Sequence, residues 1–71
     1  MRIQELREGA NLTQVQVALR MGVSQNTVSQ WENEVALPRT RDLPQLANVL
    51  QCSIDALYNR EDEDAVEYDP A

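Results

Sequence analysis

Apolar residues recur along this chain at intervals of three and four, which is the spacing of an amphipathic helix. The strict alternation that marks a half-buried strand is absent. Five segments follow the helical spacing, and their predicted inward residues are Ile3 and Leu6; Val17, Ala18 and Met21; Val28, Trp31 and Val35; Leu43, Leu46, Ala47 and Leu50; and Ile54 and Leu57. The pattern predicts an all-α fold in which five short helices surround one core.

Several helix ends are marked by residues with well-understood capping behaviour. Thr13 and Gln16 have the spacing of a capping box, which starts the second helix. Ser24 and Ser53 are suited to cap the third and fifth helices through their hydroxyl oxygens. Gly22 can adopt the left-handed conformation that ends the second helix. The second and third helices are therefore expected to be joined by a tight turn.

The first and fourth helices carry weaker signals. The first is predicted over residues 1–9, and Gly9 and Asn11 both tolerate a left-handed turn after it. Pro38 closes the loop that precedes the fourth helix. Pro44 lies in the first turn of that helix, where it removes no helical hydrogen bond.

The third helix has an outward face of amide and hydroxyl side chains. If Val28 faces the core, an advance of about 100° per residue places Gln25 at the amino-terminal tip of the outward face. The other residues on this face are Asn26, Ser29, Gln30 and Asn33. Glutamine and asparagine can bond adenine bidentately in the major groove of DNA. The pattern favours a helix that reads base edges, and the alternative is an ordinary solvated polar surface.

The segment TQVQVALRMGVSQNTVSQWENE resembles the helix-turn-helix of the phage repressor/Cro family, whose usual pattern is TQxxLAxxxGVSxxTIxxWENG. The similarity extends from Arg2 to Tyr58. It implies a five-helix, repressor-like DNA-binding domain with a central helix-turn-helix, expected over residues 1–59. It also implies that the third helix is the recognition helix.

The resemblance assigns roles to individual residues. Gln14 matches a family residue that bonds a phosphate, and Arg41 matches an arginine that lies along the backbone or minor groove. Arg7 and Glu32 match a structural ion pair rather than DNA contacts. The expected DNA-binding residues are Gln14, Ser24, Gln25, Asn26, Thr27, Ser29, Gln30, Asn33, Arg39 and Arg41.

The chain departs from the family pattern at two turns. Glu34 replaces the glycine that usually follows the W-E-N segment, and Gln51 stands where a glycine often follows the fourth helix. Both residues make a left-handed cap costlier than glycine would. These two turns are therefore expected to differ in detail from the family pattern.

The charge is distributed unevenly along the chain. The net charge is −6, yet residues 1–60 hold six acids and six arginines, whereas residues 61–71 hold six acids and no base. Residues 60–71 are expected to form a disordered, solubilising acidic tail. The alternative is a regulatory segment that competes with phosphate for the arginines.

The neutral body offers few cations to DNA phosphates, and each missing phosphate contact lowers the salt-dependent affinity. A homodimer on a palindromic operator in double-stranded DNA is therefore expected. Its predicted seam is the fifth helix and its approach, Ile54 to Tyr58.

The composition argues against several other classes of protein. With no histidine and a single cysteine, Cys52, the chain has no set of zinc ligands and no internal disulfide. Cys52 is expected to pack against apolar neighbours, and no nucleophile–base pair or phosphate-binding glycine loop indicates an enzyme or a cofactor. No apolar run approaches the roughly 20 residues of a membrane span, and a cytoplasmic location is predicted.

Two functions remain in competition. The first is a sequence-specific transcriptional regulator that reads the major groove with its third helix, most simply a repressor of phage, mobile-element or toxin–antitoxin type. The second is a protein-interaction module, or antitoxin-like partner, with weak DNA affinity. Val15 and Leu19 are adjacent aliphatic residues on an otherwise polar helix face, and they are the expected contact in this second case.

Overall fold

The computed structural model of the chain describes residues 1–58. Over these residues the protein contains five α-helices and no strand, so the predicted all-α fold is confirmed. The helices are α1 (Ile3–Gly9), α2 (Gln14–Met21), α3 (Gln25–Glu32), α4 (Leu43–Val49) and α5 (Ile54–Leu57), and a short 3₁₀ helix at Thr40–Asp42 precedes α4. The predicted acidic tail, residues 60–71, lies outside the described residues. None of the described helices is long and apolar enough to cross a membrane.

Every helix contributes at least one side chain to a single core. The core consists of Ile3, Leu12, Val17, Ala18, Val28, Trp31, Leu43, Leu46, Ala47, Leu50 and Leu57. Full burial of one aliphatic side chain contributes roughly 1.5–3 kcal/mol to stability. Leu6 and Met21 are only partly buried and pack against the edge of this core.

Two residues that were predicted to face inward do not. Val35 is 73% exposed because α3 ends at Glu32, so Val35 does not follow the helical register. Ile54 is 41% exposed because α5 is a single turn of four residues, in which Leu57 takes the fully buried position. The interpretation of these two residues as core was wrong.

The junction between α2 and α3 is fixed by caps on both sides. Thr13 and Gln16 form the predicted capping box at the start of α2. Gly22 ends α2 with a φ of 74°, and the N–H of Val23 donates to the carbonyl oxygen of Ala18. Ser24 accepts from the N–H of Thr27 and so caps α3. The tight turn expected between the two helices is therefore present.

Three non-glycine residues adopt the left-handed conformation. Asn11 has the positive φ that was expected of this region, whereas Gly9 lies inside α1 and does not form the turn. Glu34 and Gln51 have φ values of 61° and 59°. Both turns therefore keep the left-handed geometry without the glycine that would adopt it at no steric cost.

Replacing Gln51 with glycine should stabilise the domain. The left-handed conformation costs an L-residue roughly 1–2 kcal/mol, and the greater freedom of an unfolded glycine cancels part of the gain. We expect Gln51→Gly to raise the free energy of unfolding in denaturant by about 0.5–1 kcal/mol. Asn11→Gly is the matched control and should change it by less, because asparagine visits this conformation readily. Equal effects at the two positions would contradict this explanation.

Candidate nucleic-acid interface

The core-facing residues of α3 determine which of its side chains point outward. Val28 and Trp31 are buried, and they fix the rotation of the helix about its axis. On the remaining surface Gln25 and Asn26 are exposed, and Ser29 and Gln30 are half-buried. Asn33 is exposed but lies just beyond α3 as its carboxy-terminal cap.

The outward face of α3 carries no charge. The only charged residue of the helix is Glu32, whose side chain is 3% exposed and directed into the domain. A surface of neutral amides and hydroxyls does not repel phosphate, and it offers both donors and acceptors. It is therefore suited to recognising base edges rather than to general electrostatic attraction.

An ion pair connects α1 to α3 beneath this face. Arg7 Nε donates to Glu32 Oε2 at 2.5 Å, and Arg7 Nη2 donates to Glu32 Oε1 at 3.3 Å. Arg7 Nη1 donates to the carbonyl oxygen of Leu12 at 2.8 Å. The Arg7 side chain is only 12% exposed. The guanidinium therefore satisfies both the buried carboxylate and a carbonyl of the α1–α2 loop.

Gln14 connects this ion pair to Gln25, the first residue of α3, through hydrogen bonds. Its Nε2 donates to Glu32 Oε1 at 2.9 Å, and its Oε1 accepts from Gln25 Nε2 at 3.3 Å. Gln14 was expected from the sequence to contact a phosphate, and these two bonds were not expected. No sequence signal points to them, because they depend on how α2 and α3 cross.

The other residues of α2 and α3 that were predicted to bind DNA fall into two groups. Some already form side-chain hydrogen bonds within the described part of the domain, and the others do not. Ser24 and Thr27 bond each other through their hydroxyls at 3.0 Å, in addition to the cap. Asn33 Nδ2 makes a long hydrogen bond of 3.4 Å to Ser29 Oγ. Within residues 1–58, the side chains of Asn26 and Gln30 have no hydrogen-bond partner. Asn26 and Gln30 are therefore available for a ligand.

The two arginines assigned to phosphate lie around the 3₁₀ helix. Arg39 is the residue before it and Arg41 lies within it, and both are exposed. Neither forms an ion pair with any residue in the described part of the chain. Their guanidinium groups are therefore free to bind an external anion.

Cys52 lies in a groove lined by residues of α1 and by the residues that follow α4. The residue is partly buried and packs against the core, as expected. Burial raises the pKa of its thiol, against a smaller opposing effect from Arg2. A raised pKa keeps the thiol protonated and unreactive at neutral pH. Among residues 1–58, no cluster of histidine, cysteine or acidic side chains could hold a metal ion.

A family model described as helix-turn-helix matches residues 3–57. The chain belongs to the Cro/C1-type helix-turn-helix family. This is a family of DNA-binding transcriptional regulators rather than of enzymes, and the resemblance recognised from the sequence is confirmed.

Two curated proteins are similar in sequence to this chain. One is the HTH-type transcriptional activator BcrR of Enterococcus faecalis, which is 34% identical over 61 residues covering 86% of this chain and 30% of the relative. The other is the cryptic phage CTXphi transcriptional repressor RstR of Vibrio cholerae, 34% identical over 59 residues covering 83% of this chain and 53% of the relative. The chain thus spans under a third of one relative and about half of the other. No solved structure matches it.

Removing the buried carboxylate should destabilise the fold. We expect Glu32→Ala to lower the free energy of unfolding by about 3 kcal/mol. The buried Arg7 guanidinium would then keep as its charged partner only the exposed Glu8 carboxylate, at 3.8 Å. A double-mutant cycle with Arg7→Ala, measured by denaturant unfolding, should give a strong coupling energy. The exposed pair Arg2–Glu5 is the matched control, with an expected coupling below about 1 kcal/mol. Equal coupling in the two cycles would refute the structural role of Glu32.

Proposed function

We propose that this domain is a sequence-specific transcriptional repressor, which inserts α3 into the major groove of an operator. The observation that carries the proposal is the exposed, uncharged amide face of α3, which is oriented by the burial of Val28 and Trp31. An α-helix fits the width of the major groove, and its first residues reach the base edges. Gln25 and Asn26 occupy the first two positions of α3.

Phosphate contacts would come from residues outside this helix. Gln14 is the first residue of α2, where backbone N–H groups without a helical partner favour an anion. Arg39 and Arg41, around the 3₁₀ helix, provide cations. With so few cations per copy, the salt-dependent part of the affinity is small, and one copy alone would bind weakly.

A homodimer on a palindromic operator would double these contacts. Ile54 in α5 and Tyr58 just after it are 41% and 40% exposed, which leaves apolar surface for a second copy. The relationship to a phage repressor supports this assembly. Bound in this way, the protein would repress by occupying DNA that the transcription machinery needs.

A second function is contact with another protein through α2. Val15 and Leu19 lie one helical turn apart, and Leu19 is 76% exposed. Two neighbouring exposed aliphatic side chains favour such a contact more than scattered ones do. In this case the polar face of α3 would be a solvated surface.

Substitution of the α3 tip separates the two functions. We expect Gln25→Ala and Asn26→Ala each to weaken binding to a duplex selected from a random pool by roughly 1–3 kcal/mol, because each removes a base contact. Their thermal unfolding should remain that of the unmodified protein, since both side chains are exposed. The matched control Leu19→Ser should bind DNA normally. Normal binding by both alanine variants, measured by titration, would exclude α3 as the reading helix.

The proposed dimer is tested by sedimentation of the protein with and without operator DNA. We expect two copies per operator, with recognition helices about 34–36 Å apart, the spacing of successive major grooves. Ile54→Ser should weaken this assembly because it places a hydroxyl in the proposed seam, whereas Leu19→Ser should not. One copy per site at saturating protein concentration would rule the dimer out.

A further inference from the structure

The arginines of residues 1–58 fall into two groups. Arg7 is bonded to Glu32 inside the domain, and Arg2 is paired with Glu5 on its surface. The side chains of the others form no hydrogen bond or ion pair with any residue of this range, and all of them are exposed. These residues, here called the unpaired arginines, are Arg20, Arg39 and Arg41. The described fold therefore leaves three guanidinium groups without an anion.

The unpaired arginines lie around the start of α4. Arg39 precedes the 3₁₀ helix that leads into α4, and Arg41 lies within it. Arg20 is in the last turn of α2, and Gln45 of α4 donates its Nε2 N–H to the Arg20 carbonyl oxygen at 3.0 Å. This bond holds the end of α2 against the first turn of α4. Asp42, the acid of the 3₁₀ helix, forms no ion pair with them, so it does not neutralise their charge through a direct contact.

The chain carries the opposite charge after α5. Residues 61–71, EDEDAVEYDPA, contain six acids and no base. The preceding helix, α5, packs against α4, which has seven residues and is about 10 Å long. Residues 59–71 can span up to about 43 Å, at roughly 3.3 Å a residue. This length is sufficient to bring the acidic side chains to the unpaired arginines.

We propose that residues 61–71 bind the unpaired arginines of the same chain and thereby compete with DNA phosphate for them. A guanidinium group can donate two parallel hydrogen bonds to a carboxylate or to a phosphate, so the two anions use the same donors. Because the acidic segment is attached to the domain, its effective concentration is high and each contact need not be strong. The binding follows from charge and length alone, whereas the competition rests on the proposed function, in which Arg39 and Arg41 contact phosphate.

The strength of this contact is limited by the exposure of the arginines. One exposed ion pair changes an equilibrium constant by at most about fivefold, and a network of several charges contributes more than one pair. Two or three such pairs would lower the affinity for DNA by about fivefold at low salt. The factor is similar for every duplex, because phosphate contacts do not depend on sequence. Weakly bound, non-specific DNA is then released first.

The contact is tested first without DNA, by nuclear magnetic resonance of the arginine guanidinium groups. The unmodified chain is compared with an amide-tail variant of the same length, in which the six acids are replaced by their amides. The replacements are Glu61→Gln, Asp62→Asn, Glu63→Gln, Asp64→Asn, Glu67→Gln and Asp69→Asn. At low salt we expect the guanidinium carbon and nitrogen signals of the unpaired arginines to differ between the two proteins. Those of Arg7 should coincide, because Arg7 is bonded inside the domain.

Salt and protein concentration complete this comparison. At about 1 M salt, where charges are screened beyond about 3 Å, the difference between the two spectra should disappear. Identical signals of the unpaired arginines at low salt, or a difference confined to Arg2, would overturn the proposal. A difference that grows with protein concentration would also overturn it, because the segment would then bind a second copy rather than its own chain.

The competition with phosphate is tested by titration of a selected duplex at low salt. We expect the amide-tail variant to bind about fivefold more tightly than the unmodified chain, because the segment no longer occupies the arginines. The same replacement is then made in a chain that carries both Arg39→Gln and Arg41→Gln, where the gain should fall to about twofold or less. Gln25→Ala is the matched control, since it also weakens DNA binding but removes no charge. In that chain the gain should remain about fivefold.

The titrations distinguish binding of the segment from simple repulsion of DNA. If the full gain persists without Arg39 and Arg41, the segment repels DNA at a distance, and the proposal is overturned. If the unmodified chain prefers no duplex, the proposed function fails, while the resonance comparison still decides whether the segment binds the arginines. None of the six replaced acids belongs to residues 1–58, so that comparison leaves the described fold unsubstituted. Circular dichroism checks that each variant folds.

Discussion

The carboxylate of Glu32 connects three of the five helices through hydrogen bonds. It receives Arg7 from α1 and Gln14 from α2, and it belongs to α3 itself. An ion pair this deeply buried contributes little net stability compared with apolar residues of the same volume, because both charges lose their hydration. Its physical consequence is directional, because each hydrogen bond requires its own geometry, whereas apolar neighbours of similar volume can be exchanged at small cost. The group therefore helps to fix how α1, α2 and α3 are placed relative to one another.

The helices and the turn between α2 and α3 were predictable because their signals are local. The capping box of Thr13 and Gln16, the left-handed Gly22 and the Ser24 cap each involve residues within four positions of one another. Val35 was misassigned because periodicity carries no information on where α3 stops. The turn at Glu34, with its positive φ, ends the register before Val35. Ile54 was misassigned because a helix of one turn has room for only one fully buried side chain of that pair.

The outward face of α3 could be predicted from the sequence, but the hydrogen bonds between helices at this site could not. The amide face of α3 follows from the rotation that Val28 and Trp31 impose. The bonds from Gln14 to Glu32 and Gln25 join residues 18 and 11 positions apart, across two helices. Helical spacing describes neighbours on one helix and says nothing of contacts between helices. The resemblance to the phage repressor/Cro family supplied the Arg7–Glu32 pairing, but the third member of that network became apparent only from the structure.

The central claim is that the amide face of α3 contacts base edges. It is tested most directly by nuclear magnetic resonance of the side-chain amide groups during titration with a selected operator duplex. We expect the side-chain amide signals of Gln25 and Asn26 to shift on binding, while those of Gln4 and Gln45, on α1 and α4, remain in place. Unchanged Gln25 and Asn26 signals at saturating DNA would contradict the account.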